Sequence, residues 1–235
     1  MSVTRSVTQI SRVAIYDDRP DDRETLAETL EDTGYEPVRL DEPFNSVEQC
    51  TNELARYDAA IVDHRLSPGN FGAYTGAEVV KRLYLTGHPA LLVSCWSQGD
   101  PQDIQPYRRQ LACILEKGEY EAPDIIAGFR QCIAEFEGIF IPQRRATRTI
   151  VRIAFDFDPN SSKKRVGVFV PAWHPQEGVT FALDIIPENL RGNLREGTRF
   201  FADVNTGANS QDELFFENIE LAPEVSGDAA RFLRR

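Results

Sequence analysis

The chain has 235 residues, 41% of them hydrophobic and 10% aromatic, which is enough apolar surface for one large or two small cores and excludes a disordered tail. Its formal net charge of −11 repels nucleic-acid phosphates unless a local basic patch overrides the field, so DNA binding is disfavoured. No apolar run approaches the roughly 20 residues that cross a bilayer, and the opening residues MSVTRSVTQISR lack a signal peptide's apolar stretch, so a cytoplasmic location without a membrane partner is expected.

In chain order, Arg12–Tyr16 (RVAIY) reads as a buried strand. Asp21–Thr33 is helical, with Leu26 and Leu30 on one face and Gly34 placed to cap its end. Glu36–Leu40 is a second strand and Ser46–Arg56 a helix with Ser46 as N-cap. Ala59–Val62 follows as strand three, Gly76–Thr86 as a helix, Ala90–Val93 as strand four and Leu111–Leu115 as strand five. Between the last two, Pro101 and Pro106 allow only a short or broken helix. Pro123–Phe136 closes the unit as an amphipathic helix. Strands alternating with helices predict βαβ units and a parallel sheet, flavodoxin-like with strand order 2-1-3-4-5.

Composition changes after Gly138. Residues 139–149 hold Pro142, Arg144, Arg145 and Arg148 and read as a linker between a first domain, 1–138, and a second, 150–235. The second shows five strand-like runs, Val151–Phe157, Arg165–Val170, Val179–Ile186, Arg199–Asn205 and Leu214–Leu221, at the spacing of a small all-β, barrel-like domain. Val225–Arg235 is expected to form a short helix or to fray. Cys50, Cys95, Cys113 and Cys132 form no CxxC pair and read as buried reduced thiols.

The chemistry gathers at strand ends. Asp17 and Asp18 follow strand one and Asp63 follows strand three. In the order 2-1-3-4-5 these strands are neighbours where the sheet order reverses, so three carboxylates converge. Such a cluster needs a cation or raised pKa values, and hard oxygen ligands suit Mg²⁺. Ser94 at the end of strand four and Lys117 at the end of strand five supply a hydroxyl and an ammonium for phosphoryl oxygens. Each residue alone has a bland reading as a turn or cap; five at strand ends in this order do not.

With AIYDD (14–18), AAIVDHRL (59–66), GAEVVKRL (76–83), LLVSCWS (91–97) and ILEKG (114–118), residues 12–137 resemble the receiver domain of response regulators in two-component signalling. The resemblance implies that Asp63 accepts a phosphoryl group from a histidine kinase or phosphotransfer protein. It implies Asp17, Asp18, Asp63 and the backbone carbonyl of Arg65 as Mg²⁺ ligands, with Ser94 and Lys117 contacting the phosphoryl group. Catalysis would then be limited to the domain's own phosphoryl transfer and slow autodephosphorylation. Three positions depart from the pattern. Gly118 stands where the family usually has proline, and a cis bond there would cost about 2.5–4 kcal/mol, leaving that peptide trans or strained. Ile114 replaces the usual tyrosine or phenylalanine switch. The loop SPGNFGAYTG is about five residues longer than usual and is placed to shield the phosphate or to meet a partner.

No output family is legible in the second domain. Its aromatics, Phe155, Phe157, Phe169, Trp173, Phe181, Phe200, Phe201, Phe215 and Phe216, read first as core, and Lys163, Lys164 and Arg165 as a solvated turn. The alternative is a base-stacking, nucleic-acid-binding barrel. Trp173 between Pro171 and Pro175 suggests an exposed recognition loop, and His174 a surface residue. The leading reading is a response regulator whose phosphorylated state acts through contacts with its own β domain, a second copy or a downstream protein. A phosphate sink or relay without output is the alternative, and a metal-dependent phosphatase is a distant one.

Overall fold

The computed structural model describes residues 10–66, 73–95, 101–155, 165–192 and 194–223. The chain divides into two units, Met1–Ile141 and Pro142–Arg235.

The first unit is a five-stranded parallel sheet of β1 (Arg12–Tyr16), β2 (Glu36–Leu40), β3 (Ala59–Asp63), β4 (Ala90–Ser94) and β5 (Ile114–Glu116), in the order β2-β1-β3-β4-β5. Every residue of β3 and β4 is buried, as continuous apolar runs in a sheet covered on both faces require. Two apolar layers result. On one side Tyr16, Ala60, Val62 and Leu92 meet Cys50 and Leu54 of α2 (Val47–Leu54) and Val79, Val80 and Leu83 of α3 (Gly76–Leu85). On the other, Ile15, Ile61, Leu91 and Val93 meet Leu26 and Leu30 of α1 (Pro20–Asp32) and Ile125, Phe129 and Cys132 of α5 (Ala122–Phe136).

Caps follow the sequence signals. The Ser46 side chain accepts from the Gln49 amide, and Gly34 takes the left-handed φ of +82° that ends α1. Thr75 and Glu78 form a reciprocal capping box on α3. The proline-bearing stretch forms a single turn, α4 (Pro101–Ile104), continued as a 3₁₀ segment, Gln105–Gln110. Strand five differs from expectation. Leu111 and Ala112 are buried but precede the paired residues, because apolarity marks burial and not ladder hydrogen bonds. Cys50 and Cys132 are buried free thiols, whereas Cys95 and Cys113 are only partly buried.

The second unit is an antiparallel sheet of β6 (Thr147–Phe155), β7 (Arg165–Phe169), β8 (Gly178–Ala182), β9 (Arg199–Val204) and β10 (Phe216–Leu221), ordered β10-β9-β6-β7-β8. Its all-β character and five strands match the sequence. One expectation is corrected. Thr147–Thr149, expected in the linker, already pair with β9, since β-branched Thr side chains suit a pleated, half-buried surface and Arg148 faces Asp203. The barrel is not closed by hydrogen bonds, because no described residue pairs β8 with β10. The sheet is nevertheless strongly rolled: the Phe181 and Phe216 rings, from opposite edge strands, lie 4.5 Å apart. Val151, Ile153, Val166, Val168, Phe181, Phe200 and Ala202 fill the inside. Trp173 is no exposed recognition residue; it packs on this core, and its indole N–H donates to the Ala208 carbonyl at 2.8 Å. His174 is on the surface, 3.8 Å from Glu177.

Part of the long loop (67–72), Trp96, Ser97, Phe157, Lys163, Lys164 and Val225–Arg235 lie outside the described residues.

Candidate functional site

The site is built at the C-terminal ends of β1, β3, β4 and β5. Each buried strand runs until its polar end residue, and the parallel register sets those ends side by side. Asp17, Asp18 and Asp63 each present a carboxylate oxygen within 4.8 Å of the others, and all three are nearly buried, at 4%, 9% and 6% exposure.

Lys117 closes the cluster. Its Nζ donates to Asp17 Oδ2 and to Asp63 Oδ1, both at 2.9 Å, and lies 2.8 Å from Asp22 Oδ2. Asp17 and Asp63 accept two of the ammonium's three N–H donors, and Asp22 adds a third carboxylate as an ion pair. Asp22 is the residue that sequence reasoning missed. It stands in the first turn of α1, where an aspartate is ordinarily explained by the helix dipole, and only the fold brings it to Lys117.

The remaining polar atoms are held as well. Asp63 Oδ2 accepts from the Arg65 amide at 2.7 Å. Asp17 Oδ1 accepts from the Arg19 amide at 2.8 Å, and the Asp17 carbonyl accepts from the buried Arg23 guanidinium. Ser94, the last residue of β4, is 1% exposed, and its carbonyl accepts from the Lys117 amide at 2.9 Å. The Asp17, Asp18, Asp63 and Lys117 side chains therefore meet at the C-terminal end of the sheet, where Ser94 ends the neighbouring strand. Arg65 is brought there through its amide.

Burial sets the electrostatics. The Asp63 carboxyl is pushed up to about 6, first by desolvation and then by the neighbouring Asp17 charge, against the pull of Lys117. Asp17 is also raised, mainly by desolvation. Burial alone would lower the Lys117 ammonium; the carboxylates Asp22, Asp63 and Asp17 more than reverse this and keep it charged. Three buried carboxylates facing one lysine leave an excess of negative charge, so the donor set fits a small divalent cation.

Two glycines shape the rim. A Cβ on Gly76 would lie 1.9 Å from the Asp63 carbonyl oxygen, so α3 can start against the Asp63 backbone only with glycine. Gly118 has φ +83°, a conformation closed to proline, and no described peptide bond is cis. The chain after Lys117 thus turns through a left-handed glycine in a trans peptide. Ile114 is half-buried against the α2–α3 core layer, which leaves no aromatic ring at that position to rotate.

No protein-family model matches the chain, and no curated protein matches it. Solved structures do. One, described as a response regulator receiver domain protein from Clostridium thermocellum, is 14% identical with a TM-score of 0.43, covering 55% of this chain and 98% of that one. The signal receiver domain of a modulated diguanylate cyclase from Desulfovibrio desulfuricans G20 is 24% identical with a TM-score of 0.43, over 55% and 98% of the two chains. The receiver domain of a sensor histidine kinase from Pseudomonas aeruginosa PAO1, described with a magnesium ion coordinated in its active-site cleft, is 15% identical with a TM-score of 0.41, over 53% and 98%. The parallel order β2-β1-β3-β4-β5 gives the first unit a flavodoxin-like fold. At these identities and TM-scores the likenesses assign no function, which rests on the geometry of the acidic site.

Proposed function

We propose that the protein is a response regulator in which Asp63 accepts a phosphoryl group from a phosphohistidine on a kinase or phosphotransfer protein. The observation that carries this reading is the Lys117 ammonium, held at 2.9 Å from both Asp17 and Asp63 inside a buried carboxylate cluster. A receiver uses such an arrangement to offer one carboxylate as nucleophile while a fixed cation meets the incoming charge.

In the proposed step, an Asp63 carboxylate oxygen attacks phosphorus, the bond from phosphorus to the donor nitrogen breaks, and its electron pair leaves with the imidazole. Lys117 then transfers its Asp63 contact to a phosphoryl oxygen while keeping Asp17 and Asp22. Ser94, at the end of β4, supplies a hydroxyl to a second phosphoryl oxygen. Asp17, Asp18, Asp63 and the Arg65 carbonyl would hold Mg²⁺, which when bound offsets the negative charge that the carboxylates and the phosphoryl group share. Desolvation favours the neutral Asp63, so the carboxylate displayed at neutral pH is a poorly solvated one, and that suits nucleophilic attack. The state reached is transmitted by protein contacts of the receiver unit and the β unit.

The test is intact-mass analysis of the full-length protein treated with acetyl phosphate and Mg²⁺. A single phosphoryl adduct is expected, absent with EDTA and absent in Asp63→Asn. The same adduct on the Asn variant would show that the acceptor is elsewhere.

A further inference from the structure

The outer face of the second unit's sheet carries an arrangement that folding does not explain. Side chains alternate along β6 and β9, so Val151, Ile153, Phe200 and Ala202 point into the core while Arg148, Ile150, Arg152, Arg199, Phe201 and Asp203 point out. In the β6–β9 register, Arg152 stands directly opposite Arg199. Like charges opposite one another on adjacent strands destabilise a sheet. Among the described residues neither arginine has a carboxylate partner. The contrast lies four residues away along the same face. Arg148 faces Asp203 and is neutralised by it at 3.5 Å and by Glu220 at 2.6 Å.

Aromatic rings flank the uncompensated pair. Phe169 on β7 is opposite Arg152, whose guanidinium lies 5.2 Å from the ring centroid. Phe201 on β9 is opposite Ile150, which is 44% exposed, and the Arg148 guanidinium lies 5.7 Å from its centroid. Two strand spacings across and two residues along separate Phe169 from Phe201, so the rings sit roughly 12 Å apart on the face.

We propose that this face binds single-stranded nucleic acid, with bases stacked on Phe169 and Phe201 and phosphates held by Arg152 and Arg199. Both halves of the ligand's chemistry have a counterpart here: a polyanion for the like-charged pair, and π-faces for the rings. An arginine resting on a ring is released to a phosphate when a base takes that ring face. An acidic peptide would satisfy the arginines and leave the rings without a role. The overall charge of −11 opposes binding, so the patch must act locally, and the interaction weakens with salt in proportion to its few phosphate contacts.

The experiment is fluorescence anisotropy of the full-length protein with labelled single-stranded DNA and RNA of about 16 nucleotides. Binding at low salt is expected, with log K falling against log salt at a slope near −1.4 for two phosphate contacts. Arg152→Glu and Arg199→Glu should each weaken binding by roughly tenfold or more, Phe201→Ala and Phe169→Ala by roughly tenfold each, and Phe201→Tyr should retain it. A Phe201→Trp variant gives a located signal, quenched by the strand if bases stack there. No binding at low salt would overturn the proposal, as would binding indifferent to these variants. Equal competition by polyglutamate or by a mononucleotide would overturn it too, in favour of an acidic partner or a small-nucleotide site.

Discussion

Asp63 carries a cost that a titration can read. With its carboxyl at about 6 instead of the ordinary 3.8, the folded protein binds a proton there more tightly than the unfolded chain does. Stability therefore falls as pH rises from about 4 to about 6 and stays at the lower value above that window. In metal-free buffer Asp63→Asn should melt higher than the wild type at neutral pH, with the gap closing toward about pH 4. Two pKa units, already net of the Lys117 contact, set an upper bound of ~3 kcal/mol. A gap independent of pH would refute this account. Asp22 bears on rate. Removing its contact should slow acetyl-phosphate labelling of Asp63 about tenfold in Asp22→Ala, equivalent to ~1.4 kcal/mol and typical of one hydrogen bond to a charged group. Asp22→Asn, which keeps an acceptor, should fall between. Labelling at the wild-type rate in Asp22→Ala would mean that Lys117 is positioned by Asp17 and Asp63 alone.

At the scale of elements, α3 is joined to Asp63 through backbone. The Gly76 amide donates to the His64 carbonyl, and the space beside Gly76 is filled by the Asp63 carbonyl. Gly76→Ala must push the helix start off β3, which should cost about 2–4 kcal/mol and slow phosphorylation together. Loss of stability with an unchanged labelling rate would show that the two are uncoupled. Much of this layer was legible in the sequence. The runs in β1, β3 and β4 are apolar because both sheet faces are covered, and the acidic residues that break them mark strand ends. What was not legible depends on parity and on long-range packing. Phe200 and Phe201 are adjacent, so composition cannot say which ring enters the core; register decides it. Asp22 looks like any first-turn aspartate until α1 is docked. Gly76 reads as an ordinary helix residue until its neighbour across the sheet end is known.

For the whole molecule, the division at Ile141 places every strand of the parallel sheet, both of its core layers and the acidic site in one unit. A fragment ending at Ile141 should therefore fold cooperatively and take a phosphoryl group on Asp63. If it is unfolded by circular dichroism, the second unit is integral to the first. In the full chain, beryllofluoride should alter amide hydrogen exchange in the β unit as well as around Asp63, Ser94 and Lys117. Changes confined to the first unit would favour a phosphate sink over a switch.

The destabilising carboxylate has a further consequence for how such a chain changes over generations. Folding by itself favours replacing Asp63 with a neutral residue of similar shape, because burial and Asp17 both work against its charge. A copy released from its phosphodonor would gain stability through that replacement and meet no structural barrier to it. On the proposed function the acid at position 63 serves chemistry at the expense of stability, whereas the glycine at position 76 is required by the fold itself.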